Sequence, residues 1–333
     1  MDMKKQPEYQ GNGWALHNSD CVEGMHAMPE GSVDCAIFSP PFGDLFVYSD
    51  SERDLGNAGA GDKFIEQYRF FAEALTRVLR PGRIACVHCT DLPMRKGRDG
   101  AIGLQDFSGD LIRAHSAAGL IYHGRATIWK DPVVEMQRTK ALGLLYKQIR
   151  KDSAMNRVGM PDYMLFFRKD EPNERPIEHA APGDREAWKI ALDWFNDLRR
   201  NGLCADIPDA DLMQELVNEV EFDVMEWQTL ASPVWMDIQQ GNVLRSFRKA
   251  KGANDEKHVC PLQLDVIRKC LRLYTRPGDV VMDPFNGIGS TGYEALRARR
   301  KYIGFELKRE YAEQANINLQ DAADHGSDMF EGV

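Results

Sequence analysis

Val280-Val281-Met282-Asp283-Pro284-Phe285-Asn286-Gly287-Ile288-Gly289-Ser290-Thr291-Gly292 decides how the rest of the chain is read. Its apolar start predicts a strand over 279–283. A glycine turn follows, then a helix over about 290–299. Gly287, Gly289 and Gly292 match G-x-G-x-x-G, and Glu306 ends the next predicted strand, 302–305. That is about where a dinucleotide-binding fold places its ribose-binding acid, so a nicotinamide or flavin enzyme is a rival reading. Two features oppose it. Such a fold needs several strands after its fingerprint, whereas one strand and one helix (about 308–319) are predicted here. Asp283-Pro284-Phe285 also sets an acid and an aromatic where the fingerprint has a featureless turn. If strands from the other end of the chain complete the sheet, the fold is circularly permuted.

The counterpart at that end is Asp34-Cys35-Ala36-Ile37-Phe38-Ser39-Pro40-Pro41-Phe42. Val33 to Phe38 is nearly all apolar, as suits a strand covered on both faces. The two prolines lack an N–H and force extended backbone before them, so the ladder stops at Ser39. Ser39 and Phe42 then stand at the C-terminal edge of a sheet, where open α/β folds bind ligands. A plain proline turn is the alternative.

Between the two stretches the pattern alternates. Strands are predicted at 14–17, 83–89, 120–129 and 162–167, with helices at about 22–28, 63–79 and 109–118. Residues 43–62 form a long loop rich in Gly, Asp and Ser. From Asp170 the character changes. Glu171 to Pro176 reads as a linker, and two helices are predicted at about 184–200 and 209–222. Between Gly183 and Trp227 twelve acids face four basic residues, a net of about −8, which marks an acidic helical module. A helix at about 261–274 restores the α/β pattern. The expected organisation is 1–169 as the first part of an α/β domain, 170–234 as an acidic helical insertion, 235–320 as the second part and 321–333 as a loose acidic tail.

With 43% hydrophobic and 28% charged residues over 333 positions, the chain has the composition of a globular enzyme. No run of about 18 apolar residues exists to span a membrane. Met1 to Pro7 lacks the apolar core of a signal peptide, so a cytoplasmic protein is expected. Seven cysteines, an odd number, fit a reducing compartment. Cys86 and Cys89 form a C-x-x-C, but three residues apart in a strand they face opposite ways, so no metal site is expected. A formal charge of −9 requires any nucleic-acid partner to be met by a local basic patch.

The two stretches in this order resemble the S-adenosylmethionine-dependent DNA amino-methyltransferases of the permuted, β-class arrangement. Ser39-Pro40-Pro41-Phe42 is similar to that family's [Ser/Asn/Asp]-Pro-Pro-aromatic motif, and Asp283 to Gly289 to its Asp-x-Phe-x-Gly-x-Gly cofactor motif. Lys257-His258-x-x-Pro261 resembles the segment before the cofactor motif, and Leu16 to Cys21 the opening strand with its acid, Asp20. The resemblance covers about 1–168 and 235–320. It implies a Rossmann-like, mostly parallel, seven-stranded methyltransferase sheet, circularly permuted, with the helical module inserted. It also implies S-adenosyl-L-methionine as cofactor and double-stranded DNA as partner.

Methyl transfer to an exocyclic amine is a displacement by a nitrogen whose lone pair is delocalised into the base. Hydrogen-bond acceptors at the amine hydrogens would free that pair. Ser39 Oγ and the Pro40 carbonyl are the candidates, with Pro41 stiffening the turn and Phe42 stacking on a flipped-out base. No cysteine follows a proline, so cytosine ring-carbon methylation is rejected. The resemblance assigns Glu306 to the cofactor ribose and Asp20 to its adenine amine. Asp283, Phe285, Asn286, Gly287 and Gly289 would wall the methionine part, with Ser290 or Thr291 near its carboxylate and Lys257 and His258 alongside. Asp20, Ser290 and Thr291 could instead be helix caps, and Glu306 a solvated acid. In the family a serine in the first motif position is the usual mark of N4-cytosine methylation, so N4-cytosine is favoured over N6-adenine. Methylation of RNA or of a protein amide, and a non-catalytic DNA-binding protein, are the other readings.

DNA would lie against residues 136–157, where Arg138, Lys140, Lys147, Arg150, Lys151 and Arg157 face one acid, Asp152. A second cluster holds Arg245, Arg248, Lys249, Lys251 and Lys257. Both could equally be solvated faces. Gln137, Arg138 and Asn156 are possible base readers. The acidic module would repel DNA and is expected to serve a protein contact, a homodimer or a partner.

Overall fold

A computed structural model describes residues 6–42, 62–94, 96–139, 142–245 and 261–324. One sheet of nine strands organises them. In chain order the strands of the molecule are β1 (Tyr9–Gly11), β2 (Trp14–His17), β3 (Val33–Phe38), β4 (Leu79–Thr90), β5 (Leu92–Met94), β6 (Gly103–Gln105), β7 (Leu120–Ile128), β8 (Asp162–Lys169), β9 (Val234–Trp235), β10 (Val280–Asp283) and β11 (Lys301–Phe305). The large sheet runs β1-β2-β11-β10-β3-β4-β8-β7-β9, while β5 and β6 form a separate hairpin. Its body is the seven strands from β2 to β7, with a short strand added at each edge. β8 is antiparallel to both its neighbours, and β2, β11, β10, β3 and β4 run parallel.

The centre is therefore built from the two ends of the chain. β10 pairs with β3, Val281 opposite Cys35 and Met282 opposite Ala36. All six residues of β3 are buried, as its apolar run requires. Asp34, in that run, accepts from the Val280 N–H at 2.9 Å and pairs with Arg80 and Arg83. These contacts tie the amino ends of the two central strands together.

Alternate residues of each strand feed two cores. Cys35, Ile37, Ile84, Cys86 and Val281 face helices Leu264–Tyr274, Ser290–Arg297 and Arg309–Asp324. Ala36, Phe38, Ala85, Val87, Cys89 and Met282 face helices Cys21–Ala27, Asp62–Val78 and Phe107–Ala117. Cys86 and Cys89 thus lie in different cores and cannot act as a pair.

Most boundaries follow the sequence pattern, with physical exceptions. Arg80-Pro81-Gly82 stops the helix before it, yet β4 begins already at Leu79, which pairs with Val33 through a bulge. The final helix continues to Asp324 because Leu319 and Ala322 keep its apolar stripe buried. The first four residues expected in the loose tail are thus helical; residues 325–333 lie outside the described residues, as does most of the loop at 43–62.

The insertion folds on its own core, Ala187, Ile190, Ala191, Trp194 and Leu198 against Leu212, Leu216, Val217 and Val220. It holds helices Arg185–Arg200 and Asp209–Val220, and a third, Val224–Leu230, that the sequence reading did not separate. The linker from Asp170 leads into it, and β9 returns the chain to the sheet edge beside β7.

Candidate active site

β10 and β3 lie side by side, but the chain leaves them in opposite directions. After β10 it passes through helix Ser290–Arg297 to β11; after β3 it passes through helix Asp62–Val78 to β4. The two helices cover opposite faces, so a crevice opens beyond the carboxyl ends of the two strands, the switch point of an open α/β sheet. Both sequence motifs emerge there.

On the β10 side the turn is held by Asn286. Its amide oxygen accepts from the Tyr302 hydroxyl at 2.6 Å and its NH2 donates to the Gly287 carbonyl at 2.9 Å. Asn286 is therefore committed to the turn itself. Gly287 has φ +52°, and a Cβ there would meet nothing within 4 Å, so the backbone presents an open cradle. A Cβ on Gly292 would instead lie 2.4 Å from Leu319 and 2.5 Å from Tyr302, so that glycine permits the helix to pack closely.

Glu306, just past β11, accepts from the Gly287 N–H at 2.7 Å and the Lys308 N–H at 2.8 Å. Its carboxylate thereby stands at the rim of the glycine turn. Asp283 accepts from the Phe285 N–H at 2.9 Å. Burial pushes its carboxyl up to about 7, against the lowering effect of hydrogen bonds from Thr291 and the Phe285 backbone. The Thr291 hydroxyl also reaches the Ile37 carbonyl at 3.3 Å, linking this turn to β3. Ser290 is buried, and its Oγ has no hydrogen-bond partner among the described residues. A buried hydroxyl without a partner is costly, which fits a site shaped for a polar ligand.

Asp20 caps helix Cys21–Ala27, its Oδ1 accepting from the N–H groups of Val22 and Glu23 at 2.9 and 3.0 Å. The helix-cap alternative thus describes at least one of its oxygens. Asn18 donates to the carbonyls of Glu306 and Leu307, which brings the end of β2 to the same rim.

On the β3 side Ser39 is half-buried, Pro40 and Pro41 are buried and Phe42 is half-buried. Phe42 meets Phe107 edge-on at 5.9 Å and lies 6.3 Å from His88. Phe285 reaches across from the other motif to Phe38 at 5.8 Å and Phe71 at 4.8 Å. An aromatic wall therefore joins the two motifs. Ser39 Oγ lies 3.1 Å from His88 Nδ1, and His88 Nε2 lies 3.3 Å from Asp162 Oδ2. Burial pushes the Asp162 carboxyl upward, but His88 and Lys130 outweigh it and hold it down at about 2. The sequence reading missed His88 and Asp162. The signal was a histidine at the polar end of an otherwise apolar strand and an acid opening another.

Of the residues expected to face DNA, Lys147, Arg150, Lys151, Gln137, Asn156 and Arg245 are exposed. Arg157 is only half-exposed. Burial lowers its pKa and Glu135 opposes that, and it is less exposed than Lys147, Arg150 and Lys151. Lys140, Arg248, Lys249, Lys251, Lys257, His258 and the Arg138 side chain lie outside the described residues. Among the described residues no group of three or more His, Cys, Asp or Glu is arranged to hold a metal, and no helix is long and apolar enough to cross a membrane.

A permuted α/β sheet whose proline turn and glycine turn meet at the switch point defines an amino-methyltransferase. Residues 33–317 match the model of the DNA methylase family, and the chain belongs to that family. Its cofactor is S-adenosyl-L-methionine and its substrate class is DNA. Among relatives, the Type II methyltransferase M.Cfr9I of Citrobacter freundii is 40% identical over 318 residues, covering 93% of this chain and 88% of that protein. The Type II methyltransferase M.BglI of Bacillus subtilis is 32% identical over 332 residues, covering 92% and 85%. Two solved structures share the fold. A DNA modification methylase of Thermus thermophilus in complex with S-adenosyl-L-methionine has a TM-score of 0.58 at 19% identity, covering 93% of this chain and 94% of that one. The PvuII DNA methyltransferase (cytosine-N4-specific) has a TM-score of 0.57 at 17% identity, covering 98% and 96%.

Proposed function

We propose that the protein methylates the exocyclic amine of a base flipped out of double-stranded DNA, with N4 of cytosine as the target. The observation that carries this reading is Ser39 at the carboxyl end of β3, on the strand beside the one that opens the glycine turn. A hydroxyl and the Pro40 carbonyl there would accept the two amine hydrogens and turn the nitrogen lone pair out of conjugation. Phe42 would stack on the base, which is reachable only outside the helix.

The residues of the glycine turn fit the cofactor. Ser290 Oγ, buried without a partner, suits its carboxylate, and the open backbone at Gly287 suits close approach of the methionine part. Phe285 and Gly289 complete that wall, with Asp283 beneath it. Glu306 would take the ribose hydroxyls and Asp20 the adenine amine. When bound, the cofactor supplies an electrophilic methyl carbon on a positively charged sulfur.

Incubation with labelled S-adenosylmethionine and duplex DNA, followed by digestion to nucleosides and mass spectrometry, tests the reading. Labelled N4-methylcytosine is the expected product. N6-methyladenine would overturn the choice of base, and DNA without label would overturn the reading as a whole.

A further inference from the structure

Four strands that are neighbours in the sheet, β3, β4, β8 and β7, each deliver one polar group to the same rim. Ser39 follows β3, His88 lies in β4, Asp162 opens β8, and Lys130 stands two residues beyond β7. The contacts run in that order: Ser39 Oγ to His88 Nδ1 at 3.1 Å, His88 Nε2 to Asp162 Oδ2 at 3.3 Å, and Asp162 Oδ1 to Lys130 Nζ at 2.6 Å. His88 and Asp162 are buried, 7% and 4% exposed. The line leads from the proposed acceptor hydroxyl into the protein.

We propose that His88, oriented by the Asp162–Lys130 pair, is the positioning residue that makes Ser39 a hydrogen-bond acceptor and then takes the proton released by methyl transfer. The inference rests on the role of Ser39 in amine methylation. Asp162 is an ionised carboxylate, held down at about 2. Asp162 Oδ2 lies 3.3 Å from His88 Nε2 without completing a hydrogen bond, and its charge favours the hydrogen on that nitrogen, which leaves Nδ1 to accept from Ser39. Ser39 has one hydrogen and two lone pairs. With the hydrogen directed to Nδ1, the oxygen's lone pairs remain free to accept one amine hydrogen of the base, the other going to the Pro40 carbonyl. Without His88 the hydroxyl could turn and donate to the base instead.

The same geometry gives the proton a route. The amine nitrogen forms its bond to carbon from its own lone pair, and the electrons of the broken C–S bond stay on sulfur. The nitrogen then holds one proton too many. That proton passes to Ser39 Oγ as the hydrogen of Ser39 moves to His88 Nδ1. The result is a neutral methylamine and an imidazolium beside the Asp162 carboxylate, from which the proton later returns to water.

Two measurements test this. Long-range proton–nitrogen NMR of histidine-labelled protein, without ligand, should find His88 as the Nε2–H tautomer with a bare Nδ1. Asp162→Asn should lose that preference. A wild-type Nδ1–H tautomer would overturn the proposal. In turnover assays His88→Ala should lower kcat about 100-fold, in line with loss of acid–base assistance, while S-adenosylhomocysteine binding is unchanged. His88→Asn keeps an acceptor at the Nδ1 position but cannot take a proton, so it should fold as the wild type and still be slow. In a Ser39→Ala background, His88→Ala should cause no further loss. If Ser39→Ala abolishes turnover while both His88 variants stay within about twofold of wild type, the inference fails and the reading of Ser39 stands. If Ser39→Ala itself turns over normally, that reading fails too.

Discussion

Asp283 is a carboxyl that the fold keeps out of water. Its pKa is raised from 3.8 to about 7 by burial. Between about pH 4 and 7 the native protein therefore holds a proton that the unfolded chain has released. Stability falls as pH rises through that window and is flat above it, by a few kcal/mol for a shift of this size. Asp283→Asn should remove the dependence, because an amide oxygen can still accept from the Phe285 N–H. Thermal melts of cofactor-free protein should coincide near pH 4 and diverge by several degrees in favour of the variant at pH 8. Melting curves that stay parallel with pH would show that the carboxyl is not held neutral. Ser39, Asp283 and Glu306 could be singled out from the sequence because each lies in a short motif whose chemistry is local. The commitment of Asn286 to the Tyr302 hydroxyl could not, since the partner stands on another strand.

At the scale of elements, the basic stretch 136–157 is broken into short pieces rather than one helix. Helix Tyr146–Lys151 buries none of its residues and presents Lys147, Arg150 and Lys151 together with the apolar Tyr146 and Ile149. Exposed cations beside exposed aromatic and apolar side chains suit a nucleic-acid surface. Each phosphate contact contributes about 0.9 to the slope of log K against log salt concentration for duplex DNA. Replacing Lys147, Arg150 and Lys151 by alanine together should reduce that slope by about 3, read by fluorescence anisotropy of a labelled duplex. An unchanged slope would place the DNA elsewhere. Charge density marked this segment in the sequence. Which cations reach solvent was decided by folding, as Arg157 illustrates.

Across the whole molecule, the insertion carries its acids toward the protein as well as away from it. Arg272 donates to both carboxylate oxygens of Glu226 at 2.6 and 2.9 Å, and to the backbone carbonyls of Glu219 and Glu221. Arg299 pairs with Glu215, Arg300 with Glu219 and Arg276 with Asp197. Much of the −8 of this module is thus matched by arginines of the α/β domain, at the end of β10 and β11 away from the crevice. Arg272→Ala leaves the half-exposed Glu226 and two carbonyls without their donor, a change that costs about 1–3 kcal/mol. The variant should melt several degrees lower and be cut faster by protease between Asn201 and Pro208, with the glycine turn still binding S-adenosylhomocysteine. Equal protease sensitivity would show that the arginine does not hold the module in place.

The sequence by itself determined the alternation of strands and helices, the permuted order of the two motifs and the family, because these rest on local periodicity and on short motifs. It also marked the acidic module as a separate unit. Only the tertiary structure decided what the residues between the motifs do. Sheet order sets β4 and β8 beside β3, and so aligns positions 39, 88, 162 and 130 that are far apart in the chain. It also turned the acids of the insertion onto arginines some fifty to eighty residues away. Pairings of that kind depend on which strand lies next to which, and no local pattern of residues encodes it.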